Sequence, residues 1–259
     1  MKSMTLKSLL GTLALLSAPS ALAGLTRSQP LFESALAAAR APGGAGGASV
    51  EREELRDALG GFIASDDGTV DATERAYLLT QSSNPAFFTG FTVDAQKYFT
   101  QFMELNDAAT TPASLGAYPA KKTPEEAFGV GSLFIHRAHV LEGFIPYGTG
   151  GVANQLTLST TYASSFDITG MGSFEPITEA ELREALSQRL ISTYATPQEI
   201  DQAVAYIREI FKNSQRLYLA SWKNEYGRGA PGDLGGFVVA AVSSDRRYVR
   251  FVEVQTWAE

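Results

Sequence analysis

Both histidines of this chain fall in one heptapeptide, His136-Arg137-Ala138-His139-Val140-Leu141-Glu142. On a helix, a step of three residues turns a side chain by about 60° from the previous one. His136, His139 and Glu142 would then share one arc and, with a water, could complete a tetrahedral zinc site of the hydrolytic kind. On a strand the same spacing sends His136 and His139 to opposite faces. The β-branched Ile135 and Val140 and the glycines nearby leave both conformations open. The alternative to a metal-dependent hydrolase is structural, with the imidazoles hydrogen-bonded at the edge of a core.

A second group of oxygen donors lies in Asp66-Asp67-Gly68-Thr69-Val70-Asp71-Ala72-Thr73-Glu74. The order DGxVDxxE resembles the second half of an EF-hand calcium loop. It also resembles the helix-loop-helix signature of bacterial tellurite-resistance-B-type domains. The resemblance covers residues 50–79. It implies calcium held through Ser65, Asp67, the Thr69 carbonyl, Asp71 through a water and a bidentate Glu74. It departs from the family at the first ligand position, which falls on Ile63. The same residues also read as helix punctuation: Asp67-Gly68 a turn, Asp71 an N-cap, and Glu74 its capping-box partner three residues on.

Other patterns carry less. Gly148-Thr149-Gly150-Gly151-Val152-Ala153 matches a loose GxGxxA, but the residues after it read as a strand where a dinucleotide site requires a helix. There is no GxSxG elbow to activate a serine. Tyr218, Trp222, Tyr226, Tyr248 and Trp257 gather in the last third of the chain, where they supply either core or a recognition surface for peptide or glycan.

The elements expected to carry these residues follow from periodicity and caps. A helix over 31–41 leads into Ala41-Pro42-Gly43-Gly44-Ala45-Gly46-Gly47-Ala48-Ser49, whose glycines predict a flexible linker. Leu55, Leu59, Phe62 and Ile63 recur at helical spacing, a second helix carries Ala76 to Leu79, and a third after Thr92 carries Tyr98, Phe99, Phe102 and Leu105. Capping boxes at Thr123/Glu126, Thr178/Glu181 and Thr196/Glu199 open three more helices. Leu156 to Tyr162 reads as a strand. Leu217 to Trp222, Phe237 to Val242 and Tyr248 to Trp257 are rich in β-branched and aromatic residues, and a turn at Ser243 to Arg246 joins the last two as a hairpin.

The expected class is therefore α+β: an N-terminal helical unit followed by helices packed on a small antiparallel sheet. Its divisions are a signal peptide over 1–23, a helix and glycine-rich linker over 24–48, an EF-hand-like helical unit over 49–110 and an α+β domain over 117–259. The leader rests on a basic start (Lys2, Lys7), an apolar centre (Leu9 to Leu16) and small residues at Ala21 to Ala23, which predict export and cleavage before Gly24, with no membrane anchor in the mature chain. The 259 residues include no cysteine, which excludes disulfides, thiolate metal sites and cysteine nucleophiles. A net charge of −7 without a concentrated basic face argues against nucleic acid. The composition points to an exported acidic protein of the periplasm or cell exterior with a non-catalytic binding role, its partner a protein, peptide or glycan. No cofactor is expected unless calcium or zinc occupies one of the two candidate sites.

Overall fold

The computed structural model describes residues 18–65, 67–107, 111–117, 122–149, 151–165, 168–211, 215–224 and 232–258. It has the expected α+β class, and the chain divides into two compact units, Met1–Met103 and Glu104–Glu259. Among the described residues no helix is long and apolar enough to cross a membrane.

The first unit is helical: α1 (Ala18–Ala39), α2 (Arg52–Ala64), α3 (Ala72–Ser82), a 3-10 turn (Pro85–Phe88) and α4 (Val93–Leu105). Phe32 and Leu36 of α1, Leu55, Leu59 and Phe62 of α2, Leu78 of α3 and Phe99 of α4 lie in one core, with Phe87 and Phe91 between α3 and α4. Aromatic edges meet faces there, Phe32 and Phe62 having centroids 5.5 Å apart. Helix α1 begins well before the expected residue 31.

The glycine segment is wound into successive turns rather than left as a loose tether. Ala41, Gly44, Gly47 and Ser49 each donate a backbone N–H to the carbonyl three residues earlier. A Cβ on Gly44 would lie 2.8 Å from the Ala39 carbonyl oxygen. The glycines thus permit close backbone approach here, a use that composition cannot distinguish from flexibility.

The second unit carries β1 (Gly116–Ala117), α5 (Pro124–Phe128), α6 (Phe134–Arg137), β2 (Ala138–Phe144), α7 (Gln155–Ser165), β3 (Gly170–Met171), β4 (Glu175–Pro176), α8 (Glu179–Leu186), α9 (Pro197–Phe211), β5 (Arg216–Asn224), β6 (Leu234–Val242) and β7 (Tyr248–Ala258). The strands form one antiparallel sheet in the order β1-β2-β7-β6-β5-β3, with β4 also paired to β5. Helices α5, α6, α8 and α9 share one core with Leu217, Phe237, Val239, Ala241, Val252 and Val254. On the opposite face, Leu158 and Tyr162 of α7 share a core with Tyr218, Val238, Ala240, Val249 and Phe251. Burial on both faces accounts for the unbroken apolar run Phe237 to Val242, which lacks the alternation of a half-exposed strand.

The predicted strand over 156–162 is the helix α7. Asn154 Oδ1 accepts from the Thr157 N–H at 2.8 Å, and the buried Leu158 and Tyr162 fall four residues apart on one helical face. Tertiary burial of that face outweighs the β propensity of its threonines. A helix does follow the glycine-containing loop after β2, but among the described strands every pairing is antiparallel, so the parallel β-α-β unit of a dinucleotide fold is not formed there, and Gly150 lies outside the described residues.

Candidate functional site

Strand β2 decides the fate of the histidine heptapeptide. His136 sits exposed on the short α6, while His139 and Glu142 belong to β2 and, three residues apart, fall on opposite faces of the sheet. The helix that would have converged His136, His139 and Glu142 on zinc is not formed. Among the described residues no three His, Asp or Glu side chains are grouped as ligands for a metal ion.

Glu142 faces α9 inside a buried ionic cluster. Its Oε1 lies 2.5 Å from Arg250 Nε, the two side chains being 0% and 3% exposed. Tyr206 of α9 donates its hydroxyl to the same carboxylate, and Arg250 donates to the Tyr206 carbonyl and lies 3.7 Å from the centre of its ring. Glu209 accepts from Arg250 at 3.2 Å and from Lys122. Burial would raise the Glu209 pKa, but the hydrogen bonds from Lys122 and Arg250 win and hold it below the usual value. Burial, then the bond to Glu142, pushes the Tyr206 phenol up, so it remains a donor. Glu142 and Arg250 are thus enclosed as a pair, extended toward solvent by the partly exposed Glu209 and Lys122, and removing either member of the enclosed pair leaves a buried charge uncompensated.

His139 faces the other side of the sheet. Its cross-strand neighbour is Glu253 of β7, with Nδ1 3.6 Å from Oε2. The imidazole is 73% exposed and the carboxylate 8%. Hydrogen bonding to Glu253 raises the His139 pKa above its ordinary 6.5, against the opposing effect of burial. Tyr162 of α7 faces the same carboxylate, and burial followed by the charge of Glu253 pushes its phenol up.

On that face the structure also opens a cavity of about 570 Å³. It is bordered by the segment 112–117, by Leu141 and Glu142 of β2, and by Thr160, Thr161 and Ser164 of α7. The Thr157 hydroxyl accepts from the Ala113 N–H at 3.0 Å, tying the segment to the helix. The lining includes the hydroxyl-bearing Ser114, Thr160, Thr161 and Ser164 and the aliphatic Ala113, Leu115 and Leu141. Glu142 is the single residue of ionisable type among the described lining residues, and its carboxylate is turned to the opposite face of the sheet, onto Arg250 and Tyr206.

The oxygens of the 65–74 loop serve the helices on either side of it. Ser65 Oγ donates to the Phe62 carbonyl, and Asp67 Oδ1 accepts from both the N–H and the hydroxyl of Thr69 at 2.8 Å. Asp71 caps α3 by accepting from the N–H groups of Thr73 and Glu74, and the buried Glu74 accepts from the Asp71 N–H. Ile63, at the position of the first calcium ligand, packs against the apolar core. The helix punctuation read from the sequence is present in full.

Among the described residues the C-terminal aromatics do not assemble into one surface. Tyr218 and Trp222 are buried in the sheet core, and the Trp222 indole donates to the Phe237 carbonyl at 3.2 Å. Tyr248 pairs with Phe144 at a ring distance of 6.0 Å, and Trp257 lies over Gly235, where a Cβ would come within 2.6 Å of its ring. Tyr226 lies outside the described residues.

Arg250, Glu253, Tyr162 and Tyr206 escape a motif search because they come from strands and helices distant in sequence. One signal for two of them was available: Arg250 and Glu253 interrupt the otherwise apolar stretch 249–254, and charges in a buried strand need partners. Comparison of the chain with models of known families, with curated proteins and with solved structures finds no match.

Proposed function

We propose that this is an exported binding protein without catalytic activity, whose ligand is an uncharged, partly apolar small molecule or a neutral peptide segment held in the cavity beside α7. The cavity carries the reading. Its volume of about 570 Å³ falls in the range of small-ligand sites, and its lining combines hydroxyl-bearing and aliphatic residues, the Glu142 carboxylate being turned away to Arg250. A ligand with a net charge would find no counter-charge among the described lining residues; a glycan would find no aromatic face on which to stack.

The test is a thermal-shift screen of the full chain with neutral compounds and with N-acetylated, C-amidated dipeptides. A ligand binding only the native state raises stability by about 2.7 kcal/mol at a hundredfold excess over Kd. The variant Thr160→Trp fills the cavity from the exposed side of α7 and is expected to abolish the shift while leaving the unliganded melting temperature within a few degrees. A shift that survives Thr160→Trp places the ligand elsewhere. Export belongs to the same reading and rests on the leader-like residues 1–23; protein recovered outside the cytoplasm is expected to begin at Gly24, and an uncleaved chain confined to the cytoplasm counts against it.

A further inference from the structure

We infer that the indole of Trp257, at the end of β7 and on the sheet face opposite α7, is a stacking platform for a neutral oligosaccharide. The site is separate from the cavity, and the inference is independent of the ligand reading given above. Three features of the chain combine to put the ring there. The first is a β-bulge: Gly236 pairs with Gln255 but Gly235 pairs with Trp257, so Thr256 is an extra residue in β7. In an unbroken strand Trp257 would share the face of Val249 and Phe251, which lie in the core beneath α7. The extra residue turns it instead to the face of Phe237, two residues along from Gly235, where it is 37% exposed. The second feature is the glycine pair opposite. A Cβ on Gly236 would collide with the Val254 carbonyl oxygen, and one on Gly235 would come within 2.6 Å of the indole. Glycine at both positions lets the bulge form and the ring settle on the neighbouring strand. The third is Ile191. Its N–H donates to the Thr256 carbonyl at 2.9 Å, and its φ of 58° lies in the left-handed region, where a β-branched residue is strained. Strain of this kind persists where the surrounding structure over-determines it, and it collects at ligand sites. Here it pins the carbonyl of the bulged residue.

The chemistry of the platform selects the ligand. Among the described residues none accepts from the Trp257 indole N–H. The turn that docks on Thr256 carries the exposed Ser192, Thr193 and Tyr194, and Lys223 of β5 stands exposed opposite Gly235. Of the large apolar side chains on that turn and on β5, β6 and β7, Trp257 and Tyr194 are the ones exposed at this end of the sheet. Two rings fall well short of the apolar core of a protein interface, which buries about 800 Å² on each partner. A pyranose matches better, because one face of C–H groups can lie on the indole while its rim of hydroxyls accepts from Nε1 and bonds the polar side chains. The net charge of −7 disfavours an anionic sugar chain.

The chain has two tryptophans, and the Trp222 indole is buried and donates to the Phe237 carbonyl, so the indole N–H signals in NMR of the full chain contain their own control. On titration with millimolar maltohexaose, cellohexaose and N-acetylchitohexaose, the Trp257 signal is expected to move saturably with at least one of the three while the Trp222 signal stays in place. Trp257→Ala should weaken that binding by about tenfold or more in calorimetry. Gly235→Val, which keeps the indole but removes its seat, should weaken it as well, and Thr160→Trp, which fills the cavity, should leave it unchanged. A Trp257 signal that moves with none of the three sugars, or sugar binding undiminished in Trp257→Ala, would overturn the platform. Movement with phosphatidylglycerol vesicles in place of the sugars would give the indole to a membrane surface and overturn it equally. Should Gly235→Val fail to fold, the titration and Trp257→Ala still decide.

Discussion

Arg250 and Glu142 illustrate how much a single buried charge depends on its partner. Replacing Arg250 by Met leaves Glu142 enclosed against Tyr206 without a cation, and the expected loss is about 3–5 kcal/mol in chemical denaturation. Replacing both, Glu142→Leu with Arg250→Met, should recover most of that loss, since well-packed apolar residues commonly substitute for a buried pair. A double variant as unstable as the single one would show that Glu209 and Lys122, and not the pair, set the cost. Arg246 makes a different point. It turns the β6–β7 hairpin at φ 59°, in the left-handed region, and its guanidinium donates to the Ala153 and Glu104 carbonyls and to Asp107. Arg246→Gly and Arg246→Ala both lose these bonds, but glycine accepts the backbone, so the alanine variant should be less stable by about 1 kcal/mol. At this scale the sequence was half legible. The charges inside 249–254 are visible as anomalies, whereas the groups that answer Arg250, Glu142 of β2 and Tyr206 and Glu209 of α9, come from elements that no local pattern links to β7.

Helix starts are where local chemistry speaks most directly. Asp71/Glu74, Thr123/Glu126, Thr178/Glu181 and Thr196/Glu199 all form the reciprocal bonds their spacing predicts, because both partners lie within one turn. Asp71→Ala is expected to cost about 1 kcal/mol through loss of the α3 cap, and millimolar calcium to leave the melting temperature unchanged, because Asp67 and Asp71 already accept from N–H and hydroxyl donors and Ile63 stands at the first ligand position. A rise with calcium would show that the loop rearranges to bind the ion. Glu199 joins two elements: besides capping α9 it accepts from the Leu133 N–H at 2.5 Å, just ahead of α6. Burial opposes its ionised form, but the backbone bonds from Thr196 and Leu133 prevail and lower its pKa. Its contribution is therefore present above the ordinary carboxylate value and lost as pH falls through the lowered one, a dependence that Glu199→Gln should remove from an acid-unfolding curve. Conversely, the hydroxyl-rich sequence of α7 has little helical signature of its own and predicts a strand; the decisive fact is that Leu158 and Tyr162 have a sheet to bury against.

Over the whole molecule, a net charge of −7 and the pairing of Lys122 with Glu209 and of Arg250 with Glu142 leave little to attract a phosphate backbone. A gel-shift assay with single- or double-stranded oligonucleotide at physiological salt is expected to show no complex, and a salt-sensitive shift would expose a basic face. The α+β class could be read from the clustering of helical periods early and β-rich segments late. Strand order could not. The partner of 138–144 is 248–254, and nothing in either segment names the other. The consequence concerns how the molecule comes into being. Because β7 lies between β2 and β6, no nascent chain can close this sheet until residues 248–258 have left the ribosome. Until then the edges of β2 and β6 that β7 pairs stay open, so the second unit emerges from synthesis with unpaired strand backbone that another polypeptide can still engage.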